Sequence, residues 1–143
     1  MRRHKLKHTQ SSLRRGITLA EFAIVAPVFF VILLAGIEFS VLNTIRNTAN
    51  NAAYEGARKL VIPGAVASSG RQEAERIMGI VGVHALTVTV TPSTIDDETR
   101  EVTVDVSIPY ASNAIIVPWF TGDVTIHSQV TLLTERYGGV GGS

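Results

Sequence analysis

The sequence predicts an α+β protein: a long N-terminal helix, transmembrane in its first part and amphipathic in its second, then a short helix and a three-stranded antiparallel sheet. Three observations carry this. Residues 22–37 run for 16 positions without a charge. Apolar residues recur every three or four positions over 39–62, the period of a helix with one buried face. Beyond residue 85 the period becomes two, as in half-buried strands.

The chain has 143 residues, 45% of them hydrophobic and 17% charged, which is apolar for a soluble domain of this size. Of its 13 Lys and Arg, six (Arg2, Arg3, Lys5, Lys7, Arg14, Arg15) fall in the first 15 positions, where there is no acid. Removing them leaves seven basic against 12 acidic side chains, so the rest of the chain is net acidic and unsuited to nucleic acid. With no cysteine, disulfides, CxxC redox sites and thiolate metal sites are excluded.

Residues 1–16 are too polar and basic to bury a core and are expected to form a leader. The 21 mostly apolar residues 17–37 suffice, at about 1.5 Å each in a helix, to cross a hydrocarbon layer of roughly 30 Å. The expected span is about 17–38, with Glu38 as its outer boundary. Lys and Arg cluster only on the N-terminal side, which places the N-terminus in the cytoplasm and the head outside. A removed secretory signal would need a small-x-small site after the apolar run, and Leu34-Ala35-Gly36-Ile37 fits that poorly. A buried helix of a soluble domain is countered by the one-sided basic flank.

The helix is expected to continue through 39–62, where Val41, Leu42, Ile45, Ala49, Ala52, Ala53, Ala57 and Leu60 share a face. Pro27 should bend it, because proline removes one backbone donor and crowds the carbonyl four residues back. Pro63-Gly64 should end it. The head is then 63–136, with 137–143 a flexible tail. Ser69-Gly70-Arg71-Gln72 resembles a capping box opening a short helix through Val81, weakened by Gly79. Leu86, Val88 and Val90 alternate with threonines, and Val102, Val104, Val106 and Ile108 alternate with Thr103, Asp105 and Ser107. A third strand is expected over about 123–135, with Val124, Ile126, Val130 and Leu132 on one face. A sheet with one dry face needs a cover, and the two helices are the available ones.

The sharpest local feature is Arg14-Arg15-Gly16-Ile17-Thr18-Leu19-Ala20-Glu21-Phe22. A glycine lets a protease close on the backbone, and removing the leader also removes the charges that anchor the helix. A carboxylate such as Glu21 near the start of an apolar span costs up to roughly 2.5–3.5 kcal/mol at the bilayer centre and less towards the interface, so it should have a partner. Read blandly, Glu21 snorkels to the headgroups and the glycine before it is accidental. The junction resembles the processing site of type IV pilin-like proteins, in the Glu-Phe or Glu-Tyr form of the tight-adherence (Tad/Flp) branch. Pro27, Gly36-Ile37-Glu38-Phe39 and Ala52-Ala53-Tyr54-Glu55-Gly56-Ala57-Arg58 extend the resemblance to TadE-like minor pseudopilins over about residues 14–60. Ile17 departs from the aromatic many pilins carry there. The chain is also much longer than a major Flp pilin, which points to a minor subunit.

The resemblance implies a pilin-like fold and cleavage between Gly16 and Ile17 by a prepilin peptidase. Glu21 and Phe22 would serve assembly, with Glu21 meeting the new α-ammonium of a neighbouring copy. The implied partners are the peptidase, other pilin or pseudopilin subunits, an assembly ATPase with its platform proteins, and membrane lipid. No cofactor is implied. The implied place is the bacterial cytoplasmic membrane, single-pass, with incorporation into an adhesive pilus or secretion pseudopilus. The alternative is a permanently anchored periplasmic or cell-surface binding or scaffold protein without processing.

Ala52, Ala53, Gly56 and Ala57 form a small-residue patch, with Glu55 and Arg58 able to pair beside it. It serves either as a contact surface for another subunit's helix or as packing against the chain's own sheet. His84 and His127 have no metal-ligand spacing, and Asp96, Asp97 and Glu98 read as a solvated hairpin tip rather than a Ca²⁺ loop. No nucleophile, phosphate-loop or metalloprotease motif occurs, so an enzyme is not expected. The run Ile115-Ile116-Val117-Pro118-Trp119-Phe120 is expected to lie over the core, the alternative being an exposed contact patch.

Overall fold

The computed structural model describes residues 6–114 and 118–134, with side chains from residue 16 onward. Its elements are α1 (Leu6–Val61), α2 (Ala67–Ile80), β1 (Thr87–Thr91), β2 (Glu101–Pro109), a 3-10 turn (Tyr110–Ser112) and β3 (Thr125–Leu133). This is the expected α+β order. The chain divides into two compact units, Met1–Ile37 and Glu38–Ser143. The expected tail at 137–143 and Ile115, Ile116 and Val117 of the apolar run lie outside the described residues.

In the first unit α1 starts at Leu6, ahead of the Gly16 junction, so part of the expected leader is helical. Once a helix is nucleated, each added residue costs far less than the first turn, and Leu, Lys, Gln and Arg are good helix formers. The helix runs on through Pro27. Among the described residues one helix stretch, Gly16–Val61 of α1, is long and apolar enough to cross a membrane. No side chain from 16 to 37 is buried within the chain, with Phe22 at 68% and Ile24 at 74% exposed. Water is a poor solvent for such a surface, which is far more apolar than a soluble helix presents.

In the second unit the end of α1 and all of α2 cover one face of a sheet ordered β1-β2-β3, antiparallel throughout. β2 is central. Its Val102, Val104, Val106 and Ile108 are fully buried, opposite Val90 and Val88 on β1 and Val130 and Ile126 on β3. Burying such a side chain is worth about 1.5–3 kcal/mol, so this strand anchors the core. The outer face carries a threonine ladder: Thr103 pairs with Thr91 and Thr131, and its hydroxyl lies 2.8 Å from that of Thr131.

Two glycines set how closely the helices approach. A Cβ on Gly56 would lie 2.9 Å from the Gly70 carbonyl oxygen, and one on Gly70 would lie 2.6 Å from Leu60 Cγ. Gly70 therefore sits inside α2 as a contact point and not at its start. The expected capping box does not form. α2 begins after Val66, which makes no side-chain cap, and the Ser69 hydroxyl donates back to the Val66 carbonyl at 2.7 Å. The turn between the helices uses Gly64 at φ +81°, where a side chain would be strained. Across it, Glu73 of α2 takes an ion pair from Lys59 of α1 at 2.9 Å and a second from Arg76.

Candidate functional site

Gly16, Ile17, Glu21 and Phe22 lie on α1 with their side chains exposed. A Cβ built on Gly16 would meet nothing within 4 Å. This glycine is thus not required by packing or by backbone conformation in the folded chain. A glycine inside a helix costs about 0.5–1 kcal/mol relative to alanine, and among the described residues no contact offsets it. Glu21 is the only charged side chain between residues 16 and 37.

The small-residue patch is used within the chain. Ala52, Ala53 and Ala57 are fully buried in the head core, and Gly56 is buried against α2 and Val104. Between the two readings of this patch, packing against the chain's own elements is where the structure places these four residues. Glu55 and Arg58 stand at its edge, 3.8 Å apart and partly to mostly exposed, a pair worth little in water.

Glu38 carries a role its sequence position does not announce. As the outer boundary of an apolar span it would be solvated, yet it is 5% exposed and folded into the head. Its carboxylate accepts the backbone N–H of Phe120 at 3.3 Å, the backbone N–H of Thr121 at 2.8 Å and the Thr121 hydroxyl. Its backbone carbonyl accepts the Tyr110 hydroxyl at 3.2 Å. Tyr110 is itself buried, and burial, then the nearby Glu38 charge, pushes its phenol pKa up. The turn containing residues 118–122 is closed by Gly122 at φ +60°. Glu38 thereby holds a loop whose Trp119 is 77% exposed and whose Phe120 is 44% exposed. The expectation that this aromatic run covers the core is corrected for these two residues. The polar anchor at Thr121 and the turn at Gly122 face both rings outward instead.

A second polar latch lies near the same end. The Asn113 side-chain oxygen accepts the backbone N–H groups of His84 at 3.0 Å and Ala85 at 3.1 Å, while its nitrogen donates to the Ala85 and Pro109 carbonyls. One amide thus ties the turn after α2 to the end of β2. At the hairpin tip, Asp96 accepts the Glu98 N–H and the Thr99 hydroxyl, as a solvated turn does. Among the described residues no group of three or more His, Asp or Glu converges on a point.

An exposed apolar helix followed by a small α+β head fits a membrane-anchored, pilin-like protein. The comparison with protein families agrees: residues 16–58 match the TadE-like protein family. The match begins at Gly16 and ends at Arg58, so it covers the apolar stretch and the helix that supports the sheet, while α2 and the strands fall outside it. Curated proteins and solved structures give no match to the chain.

Proposed function

We propose that this chain is a minor pseudopilin of a tight-adherence system, anchored in the bacterial cytoplasmic membrane and cleaved after Gly16 by a prepilin peptidase. The observation that carries the reading is the family match that opens at Gly16, a glycine whose Cβ position is open, ahead of an apolar helix surface that no described residue covers. The helix spans the membrane with its basic end in the cytoplasm, as the one-sided Lys and Arg cluster favours. Cleavage removes six basic residues and leaves an α-ammonium on Ile17. Helical local structure at the junction has to open for a protease to reach an extended backbone, and Gly16 eases that opening.

In an assembled bundle, Glu21 of one copy pairs with the Ile17 ammonium of the next, joining two charges that are each costly alone in a low-dielectric layer. Phe22 and the neighbouring apolar side chains supply the packing. The assembly ATPase and platform proteins extract the processed subunit, which primes, caps or stabilises a thin adhesive pilus or a secretion pseudopilus. The test is co-expression with a prepilin peptidase and mass spectrometry of the mature chain. Loss of residues 1–16 and an N-terminus at Ile17 is expected; an intact leader beside an active peptidase would refute processing.

A further inference from the structure

We propose that the loop carrying Trp119 and Phe120 is a second membrane contact, seating both rings at the outer boundary between lipid headgroups and acyl chains. The inference rests on the membrane-spanning reading of residues 17–37 and adds to it a lipid-binding surface on the head. The loop is not attached at random. It is bonded to Glu38, the residue directly after the apolar stretch, through two backbone N–H groups and one hydroxyl. Whatever depth Glu38 takes at the end of the span, the backbone of Phe120 and Thr121 lies within hydrogen-bond reach of its carboxylate.

The chemistry of the loop suits that depth. Tryptophan concentrates at membrane interfaces because its ring is apolar while its indole N–H keeps a polar partner. Trp119 leaves most of its surface outside the head and Phe120 nearly half. Phe39, next to Glu38 in sequence, is 54% exposed. Phe39 is tied to Glu38 by sequence and the loop carrying Trp119 and Phe120 by hydrogen bonds, and aromatics this exposed are costly in water. Phe39 follows the apolar stretch assigned to lipid almost directly, and the loop of Trp119 and Phe120 is bonded to the residue between them, Glu38. The Glu38 carboxylate turns its charge inward to the loop amides, so the contact presents rings rather than a bare anion.

Trp119 is the only tryptophan, so its fluorescence reports this loop alone. The full chain is reconstituted in phosphatidylethanolamine–phosphatidylglycerol vesicles, with bromine on the acyl chains either near the headgroup or near the methyl end. The expected result is a blue-shifted emission, strong quenching by the shallow bromines, weaker quenching by the deep ones, and protection from aqueous iodide. Moving the reporter by one residue, in a Trp119→Phe, Phe120→Trp chain, should give the same pattern. A chain that floats with the vesicles but keeps a red, iodide-accessible Trp119 overturns the inference while leaving the membrane span intact. Shielding from iodide that grows with protein density, without bromine quenching, assigns the loop to a second copy and also overturns it. Failure to float with the vesicles at all refutes the spanning reading beneath it.

Discussion

The carboxylate of Glu38 accepts the backbone N–H of Thr121 at 2.8 Å across 83 residues of sequence. The acid that closes the apolar run is thereby an internal ligand of the head, and the helix that leaves the first unit is joined to the loop between the 3-10 turn and β3. A carboxylate this well supplied with donors is satisfied without water, which is why it can be buried.

Removing that anchor frees the loop before it affects the sheet. Glu38→Ala is expected to speed amide hydrogen exchange at Phe120 and Thr121 by at least about tenfold, because local opening governs exchange there. Val104 on the central strand should keep its protection. Unchanged exchange at Phe120 and Thr121 would show that Glu38 does not hold the loop.

Glycines in the same helix should respond with opposite signs. Gly70→Ala forces a Cβ against buried Leu60 and is expected to destabilise the head by about 1–3 kcal/mol. Gly79→Ala meets open space and gains helix propensity, so it should stabilise by up to about 1 kcal/mol. Chemical denaturation of the two variants measures both.

The Asn113 latch predicts a cost larger than its partial exposure suggests. Asn113→Ala leaves the N–H groups of His84 and Ala85 without their acceptor and should lower stability by about 1–3 kcal/mol. Asn113→Asp keeps the acceptor but sets a second oxygen against the Ala85 and Pro109 carbonyls, and it should also destabilise. Thermal melts at neutral pH distinguish these from a tolerant surface position.

Glu73 gives the head an acid-sensitive contact between its helices. Hydrogen bonds from Arg76, then from Lys59, hold its carboxyl at about 2, down from an ordinary value of 4.5. A depressed carboxyl stabilises the fold above its unfolded-state pKa, and that contribution is lost as pH falls from about 4.5 through about 2. Both cations are largely exposed, so the effect is screened and modest. Glu73→Gln should flatten the fall in melting temperature across that window by a measurable fraction; an unaltered pH profile would contradict the assignment.

Cleavage and assembly should separate by mutation. Gly16→Leu is expected to block processing, whereas Glu21→Ala should be processed normally and fail to assemble. Immunoblots of mature chain and sheared surface fractions read the two steps. A plain anchor would tolerate both changes.

What the sequence made legible was periodic. Val102 to Ile108 alternate, so β2 and its buried face could be read directly, and the same holds for the covering face of α1 from Ile45 to Leu60. Starts and latches were less visible. Ser69 mimics a cap, but tertiary packing at Gly70 extends the helix back to Ala67. Asn113 finds partners 28 and 29 residues away, and Glu38 finds them 82 and 83 residues away. No local pattern encodes such pairs. An acid ending an apolar run was the one available sign of Glu38, and it reads equally well as a solvated boundary.

Because the chain contains no cysteine, single introduced thiols report topology without background. In spheroplasts of a host lacking prepilin peptidase, Asp97→Cys on the hairpin tip should react with a membrane-impermeant maleimide, and Ser11→Cys should react only after the membrane is broken. Labelling of both thiols on intact spheroplasts, or of Ser11→Cys alone, would contradict a helix that crosses the membrane with its basic end inside.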